Sequence, residues 1–103
     1  MKRSRFFQIA AIAVAFLLAG HASAQDYAFV GRWDCKVGTF AFTNRTYNNG
    51  TQTLRMSAIE FGKGNDVRLV FPDGYAIALL NVTRRTMTWS SPASGDVFSC
   101  NRI

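Results

Sequence analysis

Histidine is missing from residues 25–103: the single histidine of the chain, His21, lies in its first 24 residues. That absence removes from this stretch the commonest general base, every Ser-His or Cys-His nucleophile pair, and every histidine-ligated metal site. Cysteine is scarce, Cys35 and Cys100 being the two present. Long apolar runs are limited to one, Phe6 to Gly20, broken by Gln8. About 15 apolar residues rise only about 22 Å as a helix, short of the roughly 30 Å hydrocarbon core of a bilayer. Low-complexity tracts and linkers are also lacking, and the length leaves no room for a second domain.

The N-terminus has the three parts of a secretory signal in order. Lys2, Arg3 and Arg5 form a positive start, the apolar run follows, and His21-Ala22-Ser23-Ala24-Gln25 places small residues at the two positions a signal peptidase reads. Residues 1–24 are therefore expected to be a signal peptide, cleaved after Ala24, and residues 25–103 a single domain. No cysteine follows that site, so a lipoprotein anchor is not expected. The processed protein should carry no transmembrane segment and reside in a bacterial periplasm or outside the cell.

Charge bounds the partners. The whole chain carries +6, from twelve Lys/Arg against six Asp/Glu. Three of the positive residues leave with the signal, so nine remain against six, a net of +3. That is a weak attraction to an anionic surface and not a nucleic-acid footprint, so no nucleic-acid partner is expected.

Export to an oxidising compartment makes a Cys35–Cys100 disulfide the expected state. Between marks of Gly, Asn, Asp and Pro every eight to twelve residues or so, the chain is rich in β-branched and aromatic residues. This pattern predicts an all-β domain of about seven short antiparallel strands. Phe29 to Val37 reads as the first, with Trp33, Cys35 and Val37 inward. Gly38 to Thr43 is the second, and Gln52 to Phe61 a single strand with a bulge. Val67 to Phe71, Tyr75 to Asn81 (apolar enough to be buried on both faces), Met87 to Ser90 and Val97 to Ile103 complete the set. Asn44-Arg45, Asn48-Asn49-Gly50, Pro72-Asp73-Gly74 and Ser94-Gly95 supply turn chemistry. The three Asn-x-Thr triplets, at Asn44, Asn49 and Asn81, read as turn residues beside β-branched ones. A disulfide between inward positions of the first and last strands brings those strands together, which describes a small antiparallel β-barrel or closed sandwich. Trp33, Phe40, Phe42, Phe71, Trp89 and Phe98 are the expected core.

For acid–base work only Asp26, Asp34, Glu60, Asp66, Asp73 and Asp96 remain, most of them in turns or on outward strand positions. Gly62-Lys63-Gly64 is a fragment of a phosphate loop without the rest of the pattern. No enzyme activity, cofactor or metal site is expected.

Two resemblances point to binding. Gly31-Arg32-Trp33 resembles the Gly-x-Trp start of lipocalin-like and avidin-like barrels, which implies a tryptophan plugging one barrel end and a small-ligand role. Ser94-Gly95-Asp96-Val97-Phe98 and Phe98-Ser99-Cys100-Asn101-Arg102-Ile103 resemble the Ser-Gly-x-x-Tyr and Tyr-x-Cys-x-x-Gly motifs of the periplasmic and membrane-bound inhibitors of C-type lysozyme, with Phe in the place of Tyr and Ile in the place of the Gly. That likeness implies a protein partner, a lysozyme or another hydrolase, met by a loop containing Ser94 and Gly95. C-type lysozymes are basic, so a net charge of +3 would slow the encounter rather than steer it. The third reading, an envelope structural or adhesion module, needs an exposed aromatic patch, for which Tyr27, Tyr47 and Tyr75 are the candidates.

Overall fold

The computed structural model describes residues 25–103, so the expected signal peptide, residues 1–24, lies outside the described residues. Nine strands follow one another: β1 Gly31–Asp34, β2 Thr39–Phe42, β3 Thr46–Asn48, β4 Thr53–Arg55, β5 Ala58–Phe61, β6 Val67–Val70, β7 Ala76–Leu80, β8 Thr86–Ser91 and β9 Asp96–Arg102. They form one antiparallel sheet in the order β4-β3-β2-β1-β9-β8-β7-β6-β5, curled into a half-barrel. No helix occurs among the described residues. Accordingly, none of them forms a helix long and apolar enough to cross a membrane.

The count is nine where the sequence predicts about seven, and two local causes account for it. Asn44-Arg45 and Asn49-Gly50 turn the chain as expected, but the residues between them pair as β3, anchored by the buried Tyr47 opposite Leu54. The expected single strand from Gln52 to Phe61 is split by a change of partner. Its first half pairs with β3 and its second half with β6. At the junction the Met56 amide donates to the Arg45 carbonyl at 2.8 Å, while the next amide, Ser57, donates to Val70 at 2.7 Å. The two edge strands of the sheet, β4 and β5, are thus consecutive in the chain.

Alternation inside the strands follows the sequence. Val67 and Leu69, Ile77 and Leu79, and Met87, Trp89 and Ser91 face inward and are buried. The expectation that Tyr75 to Asn81 is buried on both faces is corrected: Ala76, Ala78 and Leu80 are half-buried on the outer face. Of the expected core rings only Phe98 is not fully buried. It stacks on Trp89, with centroids 5.3 Å apart.

The first strand ends at Asp34 and does not run on to Val37. Lys36 takes φ of +73°, and the Asp34 carboxylate accepts from its amide at 3.0 Å. Val37, expected inward, is therefore 63% exposed in a turn. Cys35 remains inward and bonds to Cys100, the Cα atoms 4.1 Å apart. The disulfide joins the first and last strands as expected. It also lies where the β1–β9 ladder is short, with two residue pairs against six between β8 and β9.

Candidate functional site at the four-turn end

Antiparallel pairing sends successive connections to alternate ends of the half-barrel. One end holds the β1–β2, β3–β4, β6–β7 and β8–β9 turns; the other holds Gln25, Ile103 and the β2–β3, β5–β6 and β7–β8 connections, while β4 runs on into β5 between them. The two ends are built differently.

The end with the termini is tied down by Arg102. Its guanidinium lies over the Trp33 ring, 4.2 Å from the centroid. Nη1 donates to the Val30 carbonyl and Nη2 to the Ala28 carbonyl, each at 2.7 Å, and Nε donates to the Arg84 carbonyl at 2.6 Å. Trp33 is fully buried and donates its indole N–H to the Phe29 carbonyl at 3.0 Å. This arrangement explains Gly31. Its φ is +139°, in the region that favours glycine, and a Cβ there would collide with the Arg102 guanidinium. The Gly-x-Trp spacing thus has a local physical reason: the tryptophan fills the interior and the glycine lets the arginine lie across it.

The four-turn end is open and aromatic. A cavity of about 280 Å³ is walled by Phe40, Tyr47, Tyr75 and Trp89, with Val37, Leu54, Asn49 and Thr51 completing its lining. The rings lie against one another. Tyr47 stands edge-on to Phe40, centroids 5.7 Å apart, and stacks on Phe42 at 5.0 Å. The Tyr75 hydroxyl shares a 3.2 Å hydrogen bond with the buried Ser91. Two polar groups here are costly to bury. The Trp89 indole N–H has no hydrogen-bond partner although its side chain is 94% buried, at 6% exposure. Tyr47 is 2% exposed, and burial pushes its phenol pKa well up, Tyr75 adding to the effect and the neighbouring Trp89 opposing it. The indole stands close enough to Tyr47 to favour the phenolate, but without the geometry of a hydrogen bond.

A pH dependence follows. Folded Tyr47 holds its proton more tightly than the unfolded chain, so its contribution is intact below the ordinary tyrosine value of 10.0 and is lost as pH rises above it. Urea midpoints should fall between about pH 9 and about pH 11 by more in the native chain than in Tyr47→Phe, the difference approaching about 1 kcal/mol per pH unit. Equal falls in the two proteins would show that Tyr47 ionises freely when folded.

Ser94 and Gly95 lie at this same end, exposed in the β8–β9 turn. Gly95 adopts φ of +82° and donates its amide to the Ser91 carbonyl at 2.7 Å. The Ser94 hydroxyl donates to the Asp96 carboxylate at 3.0 Å. The sequence placed these residues in a loop but did not associate them with the cavity. Tyr47 and Tyr75, read as candidates for an exposed patch, are instead buried and half-buried in the cavity wall. Of that trio only Tyr27 is exposed, 5.5 Å from the exposed Phe61 and at the end with the termini.

Charge divides between the ends. The four turns and their flanking residues carry Asp34, Asp73 and Asp96 against Lys36, all exposed. The opposite end carries Arg45, Lys63, Arg84, Arg85 and Arg102 against Asp26 and Asp66. The domain is therefore dipolar, acidic where the cavity opens. Among the described residues no group of three or more His, Cys, Asp or Glu side chains is placed to hold a metal ion. Compared with family models, curated proteins and solved structures, the chain matches none, so its site is defined by its own geometry.

Proposed function

We propose that the chain is an exported, non-enzymatic binding protein that engages its target through the four-turn end. The observation that carries this reading is the contrast between the ends: at one, Arg102 lies across Trp33 and a smaller pocket of about 150 Å³ is left between Phe29, Phe61 and Val82, while the other holds the larger, aromatic-walled cavity among acidic turns. The continuity of β4 into β5 supports reading the half-barrel as a small closed barrel, in which the turns project as a ring. The target proposed is a protein, a lysozyme or similar basic hydrolase. Its support is the Ser94-Gly95 turn, exposed and rigidly held at the acidic end. The net charge of +3 does not oppose this encounter once its distribution is considered, because local fields at the docking patch steer association.

Protein expressed from the full sequence and purified after export is expected to inhibit a C-type lysozyme at stoichiometric concentration. Absence of inhibition across C-, G- and I-type lysozymes removes lysozyme as the target.

A second reading, a small-ligand binder without the central chamber of a lipocalin, is favoured by the aromatic-walled cavity at the four-turn end. Trp33, Leu69, Ile77 and Leu79 fill the interior. A small ligand would therefore sit at the four-turn end and not in a central chamber.

A further inference from the structure

We infer that the cavity at the four-turn end is a binding site for a small, neutral ring compound bearing a hydrogen-bond acceptor oxygen. This deepens the small-ligand reading and rests on the four-turn end being the functional one.

Size is the first constraint. At about 280 Å³ the cavity falls just below the roughly 300 Å³ at which ordinary ligand pockets begin. It admits a single ring and, being open to solvent, leaves the rest of a larger ligand outside.

Charge is the second. No Asp, Glu, Lys or Arg lines the cavity, and its one deeply buried phenol is held protonated by burial. An ion entering would lose part of its hydration without meeting a counter-charge in the lining. A neutral ligand avoids that cost.

Hydrogen-bonding capacity is the third. The Trp89 N–H is buried beside the Tyr47 hydroxyl without making a hydrogen bond to it. An indole nitrogen can only donate, so it calls for an acceptor. Asn49 adds to the donors: its side-chain oxygen is already occupied by the Thr51 and Gln52 amides and the Thr51 hydroxyl. Its amide NH₂ remains for a ligand. The hydroxyl of Tyr47 completes a donor-rich lining between aromatic faces. The arrangement matches a flat ring, which stacks on Tyr47, Trp89 or Tyr75, with an oxygen directed at the donors.

Three probes of similar shape separate these constraints: benzamide (neutral, with an acceptor oxygen), benzoate (charged) and toluene (without an acceptor). The readout is the indole N–H resonances of ¹⁵N-labelled protein expressed from the full sequence. Its two tryptophans make these assignable, and Trp33, whose N–H is already bonded to the Phe29 carbonyl, is the internal control. Benzamide is expected to move the Trp89 signal downfield in a saturable titration and leave Trp33 in place. Benzoate and toluene should bind at least about ten-fold more weakly. Trp89→Phe, which keeps a ring and removes the N–H, should weaken benzamide roughly five-fold, read in that variant through the side-chain amide resonances of Asn49. Tyr47→Phe serves as a second variant, read through Trp89, should Trp89→Phe lose its dispersed spectrum. An unmoved Trp89 signal at millimolar benzamide overturns the inference, as does benzoate binding equal to benzamide. The lysozyme assay reads the turns and this titration reads the cavity, so each reading can fail without the other.

Discussion

Reduction of the Cys35–Cys100 bridge is expected to cost about 4 kcal/mol of stability, on the loop-entropy argument for a cross-link between residues 65 apart. For a domain of about 79 residues, whose core alone supplies about 3–5 kcal/mol, that loss leaves little or nothing. The position of the bridge sharpens the expectation. The β1–β4 segment joins the β5–β9 segment through the β1–β9 ladder, which has only two residue pairs, Trp33 with Arg102 and Asp34 with Asn101. One further bond, Ile103 amide to Arg32 carbonyl at 3.0 Å, extends that seam. The disulfide is its covalent staple. Urea unfolding with and without a reductant, repeated on Cys35→Ala/Cys100→Ala, should show the midpoint falling by more than about 2 M. Amide exchange should rise first in β1 and β2. A reduced protein within about 1 kcal/mol of the oxidised one would mean that the sheet holds its seam without the bridge.

Arg102→Ala is expected to cost about 3 kcal/mol. The side chain makes three short bonds to backbone carbonyls, at Ala28, Val30 and Arg84, and lies over the Trp33 face. A hydrogen bond from a charged group contributes about 1.5–3 kcal/mol where the acceptor is sheltered, as at the half-buried Val30, and less at the exposed Ala28 and Arg84, and the cation–ring contact adds about 0.5–1 kcal/mol. Water replaces some of these partners at the half-exposed guanidinium, which is why the sum is discounted. In a domain of this size about 3 kcal/mol lowers Tm by roughly 12–24 °C. Arg102→Lys should recover less than half of the loss, because an ammonium cannot present the planar fork that reaches three carbonyls at once. Full recovery by lysine would reduce the role of Arg102 to its charge. Arg102 and the disulfide hold the same seam, so their combined removal should not be additive.

Particular residues show what could be read from the sequence and what could not. Alternation around Trp33 and Cys35, and around Phe98 and Cys100, carries the inward faces of the first and last strands; the disulfide is expected from export of a chain with two cysteines, and it then brings those strands together. Pro72-Asp73-Gly74 gives its turn directly: Gly74 takes φ of +92° and donates to the Phe71 carbonyl at 2.9 Å. A strand of three residues such as Thr46–Asn48 is too short for a period to register. The switch of partner at Met56 and Ser57 leaves no mark either, since alternation reports which face is buried and not which strand is alongside. Tyr47 was the most misleading residue. A tyrosine between two turns reads as exposed, yet opposite Leu54 it points inward and becomes a cavity wall. The candidate turn at Ser94-Gly95 was legible as a turn. Its place beside that cavity depends on four connections meeting at one end, which only the strand order reveals.

The central claim is that the acidic four-turn end is the binding end, and the most direct test is the salt-dependent association rate with a C-type lysozyme. The native protein is compared with a variant in which Asp34, Asp73 and Asp96 are each replaced by Asn, which preserves the turn hydrogen bonds and removes the charge. The association rate of the native protein should fall as salt rises, and the variant should associate at least about ten-fold more slowly at low salt. Equal rates for the two proteins, or a native rate that rises with salt, would contradict it.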